Sequence, residues 1–127
     1  MFRTILLMPL LAVLFAGCHT SGIWIADGKV HIEDRAFAKN LEITQKPLCT
    51  RTNEGFYCVQ ITVKNKNHTN YRIQYKFEWF DADGMRQTHA LSPWREKNLD
   101  GGTEDELKAV SPLQGTEGFR LKIKRAE

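Results

Sequence analysis

The sequence predicts an all-β protein, an immunoglobulin-like antiparallel β-sandwich of about seven strands, and three observations predict it. The first is the stretch "YRIQYKFEW" at 71–79, where Tyr71, Ile73, Tyr75, Phe77 and Trp79 alternate with Arg72, Gln74, Lys76 and Glu78. A period of two built from aromatic and β-branched residues marks a strand with one face buried and one wet. The second is the same alternation at Tyr57, Val59, Ile61, Val63 and again at Phe119, Leu121, Ile123. The third is the spacing of turn signals, roughly every ten residues, with no segment holding a sustained helical period.

Taken in order, a short strand is expected at Val30–Ile32, then one helical turn within "DRAFAKNL", then a strand at Leu41–Thr44. "TRTNEGFY" between Cys49 and Cys58 holds Asn53 and Gly55, turn formers that join two strands as a hairpin. The strand through Tyr57–Lys64 passes by a polar loop, "NKNHTN", into the strand at 71–79. Asp83-Gly84 ends that strand in a tight turn. Further strands are expected at Arg86–His89 and Leu107–Val110, with "SPWREKNLDGG" as an irregular connection between them. The last strand alternates Phe119, Leu121 and Ile123 with Arg120, Lys122 and Lys124.

The chain before these elements is an address. Residues 1–17 carry Arg3, an apolar run of 11 residues from Ile5 to Phe15 containing Pro9, and small residues at the end. A spanning helix needs about 20 apolar residues, so the segment reads as a secretory signal to be removed. Ala16-Gly17-Cys18 resembles the lipobox of bacterial lipoproteins, with Phe15 standing where leucine is usual. The resemblance implies that Cys18 is lipidated and becomes the first mature residue. It also implies, since His19 rather than aspartate follows, sorting to the periplasmic face of the outer membrane of a Gram-negative bacterium. The expected organisation is a signal peptide at 1–17, a lipidated tether at 18–28 and a β-sandwich domain at 29–127.

Charge and cysteines bound the chemistry. The 127-residue chain has 18 Lys+Arg and 15 Asp+Glu, and losing Arg3 with the signal leaves a net charge of +2. So small a bias, on an exported chain, excludes nucleic acid as the expected partner. With Cys18 assigned to lipid, Cys49 and Cys58 remain as a pair in an oxidising compartment, where a disulfide across the hairpin is expected. Closing that loop of about ten residues stabilises by roughly 2.5–3 kcal/mol in the chain-entropy model.

The chain also resembles the YcfL-like family of small bacterial lipoproteins, whose function is uncharacterised. The matching residues are the lipobox, Ile61-Thr62-Val63-Lys64-Asn65, "YKFEWFDADG" at 75–84, "SPWR" at 92–95, and "LDGGTEDELKAVSP" at 99–112 before "FRLKI". The resemblance covers most of the mature chain. Its motifs are structural, so it implies compartment and fold rather than an activity.

Catalytic and metal constellations find bland explanations. "DADG" at 81–84 lacks the further acids of a calcium loop and is explained as a turn. His19, His31, His68 and His89 have no ligand spacing, and a zinc site from Cys49, Cys58 and His68 needs free thiolates. No serine stands in Gly-x-Ser-x-Gly. Asp81, Asp83 and Glu104–Glu106 offer carboxylates to a hydrolase, but neighbouring acids on a strand alternate faces. No catalytic residue, metal site or cofactor is therefore assigned.

Two surface features remain as candidate interaction sites. Arg120, Lys122, Lys124 and Arg125 make a basic stripe on the last strand, read as a solvated edge or as a contact for anionic lipid or a partner. Trp94 beside Arg95 is either an interface anchor or a plug at the end of the sandwich, the plug being preferred. The expected function is a non-catalytic accessory module in the cell envelope, bound to the membrane by its lipid and to an unidentified envelope protein. A carrier of a small ligand or metal is the alternative, ahead of an envelope hydrolase.

Overall fold

The computed structural model describes residues 22–88 and 92–126. Within them lie nine strands and one helical turn. These are β1 (Ile23–Ile25), β2 (Val30–Ile32), α1 (Arg35–Ala38), β3 (Leu41–Ile43), β4 (Leu48–Arg51), β5 (Tyr57–Asn65), β6 (Tyr71–Asp81), β7 (Arg95–Leu99), β8 (Glu104–Val110) and β9 (Thr116–Arg125). They form two sheets. One has five strands in the order β1-β2-β9-β6-β7; in the other, β5 pairs with β3 and β4 along one edge and with β8 along the other. All pairings are antiparallel except β2 with β9.

The sheets face each other across one core, and the alternation seen in sequence decides what enters it. Ile73, Tyr75, Phe77 and Trp79 of β6, Phe119, Leu121 and Ile123 of β9, and Val59, Ile61 and Val63 of β5 are all buried. Phe77 stacks on Trp79 at 5.6 Å, and Tyr57 meets Trp79 edge-on at 6.3 Å. Such ring contacts add about 0.5–1.5 kcal/mol beyond the area buried. Asp34 caps α1, its Oδ1 accepting from the N–H groups of Ala36 and Phe37 at 2.9 and 3.2 Å. The cap holds Phe37 edge-on against Tyr71, 5.0 Å away.

Polar networks close the two ends. At one end Asn65, fully buried, donates through Nδ2 to the carbonyls of Thr69 and Leu99 and accepts from the Asn67 N–H. Asn67 in turn donates to Asn40, and Asn70 accepts from the Gly101 N–H. At the other end the buried hydroxyls of Ser111 and Thr116 lie 2.6 Å apart, and Thr116 donates to Gln87.

The structure corrects several expectations. Ile23–Ile25, expected within the tether, is β1; its edge pairing with β2 buries part of Ile23 and Ile25. "SPWREKNLDGG", expected as irregular, supplies β7, which pairs with β6 in register Tyr75↔Arg95 to Tyr71↔Leu99. Of the expected strand at Arg86–His89, the described residues 86–88 form a single bridge, Phe80↔Arg86, after Asp81 Oδ1 accepts from the N–H groups of Asp83 and Met85 and folds the chain into a turn; His89 lies outside the described residues.

The expected disulfide is absent: both thiols are free. Cys49 stands opposite Val59, while Cys58 stands opposite Thr50. Residues opposite one another share a face and successive residues alternate, so the two cysteines point to opposite faces of their sheet. The one-residue offset of the hairpin separates them.

Candidate functional site

The outer face of the five-stranded sheet gathers the charged and aromatic residues that do not enter the core. On β9 it presents Arg120, Lys122 and Lys124, because Phe119, Leu121 and Ile123 face inward. The cross-strand partners on β6 are Glu78, Lys76 and Gln74. On the other side His31 of β2 lies opposite Lys122, and Trp24 of β1 lies opposite His31, their ring centroids 4.6 Å apart.

Two aromatic–cation clusters bracket this face. At the β1 side the Arg120 guanidinium lies 5.2 Å from the Trp24 ring and 4.9 Å from the Phe80 ring. At the β7 side the Lys124 and Lys76 ammonium groups lie 4.0 and 4.8 Å from the Trp94 ring. Each such contact contributes about 0.5–1 kcal/mol at an exposed position. Between the clusters sits Glu78, 8% exposed although it points outward. Its carboxylate meets Lys122 Nζ at 2.8 Å and Arg86 at 3.4 Å. Burial pushes the Glu78 carboxyl up, but the bonds from Lys122 and Arg86 outweigh it and hold the group below its ordinary value.

The sequence-predicted site residues are only partly brought together. Arg120, Lys122 and Lys124 share the face as expected, but β9 is a central strand, so the stripe is not a sheet edge. Arg125 is not part of it. It stands opposite Ile73, an inward position, and its guanidinium covers Tyr71 at 5.2 Å and Phe37 at 5.9 Å. Trp94 does not plug the sandwich; it lies on Lys76 and Lys124. Arg95 is parted from it, opposite Tyr75 on the core side, and reaches a groove with Ala109 and Val110. Sequence reasoning missed Trp24, Lys76, Glu78, Phe80 and Arg86. The outward parity of Lys76 and Glu78 in "YRIQYKFEW" was a usable signal; the sequence held none for Trp24, which sits on a strand of three residues.

The outer face of the four-stranded sheet is different. Leu48 and Val110 are 56% and 54% exposed, and they line an open groove of about 540 Å³ with Thr50, Cys58, Gln60 and Lys108. Beyond it Lys64 stands between Glu42 and Glu104. Tyr57, on the core face of the same hairpin, has its hydroxyl pushed up to about 12, by burial first and then by its hydrogen bond with Cys49.

The remaining candidates do not converge. Asp81 adjoins Thr116 at one end of the sandwich, whereas Glu104 pairs with Lys64 towards the Asn65 end. Asp105 is held by Lys97 at 3.1 Å and Glu106 by Lys108 at 3.1 Å. Cys49 and Cys58 face apart and His68 follows the far end of β5, so the three cannot share a metal ion. No group of three or more metal-ligating side chains occurs among the described residues. Cys18, His19 and His89 lie outside the described residues.

Comparison with known proteins follows the fold. A family model described as "Protein of unknown function (DUF1425)" matches residues 28–125. A crystal structure of a DUF1425 family member from Shewanella sp. superposes with a TM-score of 0.60 at 23% identity, covering 68% of this chain and 79% of that one. A Campylobacter jejuni protein superposes with a TM-score of 0.59 at 20% identity, covering 66% of this chain and 85% of that one. None of the curated proteins is detectably similar in sequence. At these identities the likeness establishes the β-sandwich fold.

Proposed function

The chain belongs to the DUF1425 family of proteins of unknown function, and we propose that it is a YcfL-like lipoprotein serving as a non-catalytic binding module of the cell envelope. In this reading residues 1–17 are removed, Cys18 is lipidated, and the domain stands in the periplasm at the outer membrane. The lipobox-like Ala16-Gly17-Cys18 supports the anchor. The observation that carries the binding role is the outer face of the five-stranded sheet, where two tryptophans and five cations, Lys76, Arg86, Arg120, Lys122 and Lys124, are held in one surface. Trp and Arg are the residue types that dominate interface energetics. A broad surface of this kind recognises another surface, in contrast to the enclosed pocket of a carrier.

The reading is tested by membrane fractionation and by cross-linking in intact cells, with Cys18→Ala as the control. The expected result is membrane attachment lost in the variant, together with one dominant neighbour that depends on the anchor. Turnover of peptidoglycan or phospholipid by the purified protein, or unchanged attachment of Cys18→Ala, would overturn it.

A further inference from the structure

We propose that the outer face of the five-stranded sheet rests on an anionic lipid surface, leaving the four-stranded sheet turned away from the membrane. The inference rests on the anchored-module reading and names the partner of the same face. Three observations carry it.

The first is charge. Lys76, Arg120 and Lys124 have no carboxylate partner among the described residues, and Lys122 and Arg86 share the single carboxylate of Glu78. Among the described residues two other acids border this face, Glu96 at the β7 edge, where Gln74 donates to it, and Glu33 just past β2, its N–H donating to the Ile123 carbonyl, so cations remain in excess. The opposite outer face carries Glu42, Glu104 and Glu106 against Lys64 and Lys108. An anionic surface therefore attracts one face and not the other, at about 1 kcal/mol per cation brought close to it.

The second is the pairing of those cations with indole rings. Trp24 is 46% exposed, and both Trp24 and Trp94 carry cations at their rings. Indole has an apolar body and a polar N–H and favours the boundary between water and hydrocarbon, while lysine and arginine stems extend beside it to reach phosphate.

The third is reach. β1 is the edge strand of this same sheet, and Ile23 follows Cys18 by five residues. Five residues span at most about 17 Å even when fully extended. A lipid on Cys18 thus tethers the Trp24 edge of the sheet closely enough for the face to lie against the bilayer, inside the roughly 8–10 Å over which surface charges act.

The full lipidated chain, reconstituted in vesicles, tests this through its three tryptophans. Trp79 is 3% exposed and buried in the core, so it serves as an internal reference that lipid cannot reach. Emission is measured with brominated phosphatidylcholine as the quencher, in phosphatidylcholine vesicles with and without phosphatidylglycerol. The expected result is quenching only when phosphatidylglycerol is present, reversed by high salt and lost in the Trp24→Phe/Trp94→Phe variant. Lys76→Glu/Lys124→Glu, with its melting temperature checked by circular dichroism, should also return quenching to the phosphatidylcholine level.

Anchored protein that shows no quenching, or equal quenching in both vesicles, overturns the lipid-facing proposal and leaves the anchored module standing. Protein that fails to stay with the vesicles overturns both. Quenching relieved by an added acidic polypeptide at constant salt, with no dependence on phosphatidylglycerol, assigns the face to a protein partner instead.

Discussion

The two outward faces of the sandwich are built by the same alternation, yet they have opposite chemistry. On the five-stranded sheet, Glu78 is drawn out of water beneath Lys122 and Arg86, and indole rings lie against three further cations. On the four-stranded sheet the ion pair Lys108–Glu106 stands in solvent, 63% and 48% exposed, and two aliphatic side chains are left uncovered. A carboxylate covered by its partners is coupled to stability, because losing one partner leaves a poorly solvated charge. A solvated pair is nearly neutral. The first face is therefore organised before anything binds, and the second is not.

The largest effect expected is at Lys122. Lys122→Ala removes the closer partner of Glu78 and should destabilise the domain by about 2 kcal/mol in urea titration. Lys108→Ala on the other face should change stability by less than about 0.5 kcal/mol. Equal losses from the two substitutions would break the comparison.

Acid should bear on the covered carboxylate. The folded-state pKa of Glu78 lies below its ordinary value of 4.5, so its contribution is present above pH 4.5 and is lost as pH falls through the folded value. Glu78→Gln should flatten the stability-versus-pH curve below pH 4.5. A curve with the same slope in both proteins would show that Glu78 is not the coupled group.

Smaller still is the expected effect of reductant. With Cys49 and Cys58 on opposite faces of the four-stranded sheet, the melting temperature should be the same with and without reductant, and both thiols should react with maleimide. Stabilisation by oxidation approaching the roughly 2.5–3 kcal/mol of a closed ten-residue loop would instead require a shifted hairpin register. Least of all, Leu48→Ser and Val110→Ser should alter stability by no more than about 0.5 kcal/mol each while improving solubility. A larger loss would mean that these side chains pack against something in the native domain.

The sequence made the core legible because burial follows parity in a strand. Val59, Ile61, Val63, Ile73, Tyr75, Phe77, Trp79, Phe119, Leu121 and Ile123 are all inward, and all were marked by alternation. The same parity separates Arg125, an odd-numbered residue of β9, from Arg120, Lys122 and Lys124. β1 and β7 were not legible. "IWI" is too short to show a period, and "REKNL" is a polar strand stabilised by its pairing with β6 more than by burial. The cysteine pair shows the limit of spacing as a guide: ten residues and a good turn suggest a bridge, but a one-residue change of register turns every side chain to the other face. Nor could spacing place Trp94 over Lys76 and Lys124, since that contact joins the end of a loop to two strands distant in sequence.

The position of β9 has a consequence in time. The last strand of the chain is seated between β2 and β6, joined in parallel to one and antiparallel to the other. Until Thr116–Arg125 is present, the β1–β2 hairpin has no neighbour in its sheet, and Phe77 and Trp79 lack the Phe119 and Leu121 strand beside them. A chain delivered amino end first therefore cannot complete either the core or the cationic face partway through delivery. The ten residues of β9 act as the closing wedge, and the sandwich remains open until they arrive.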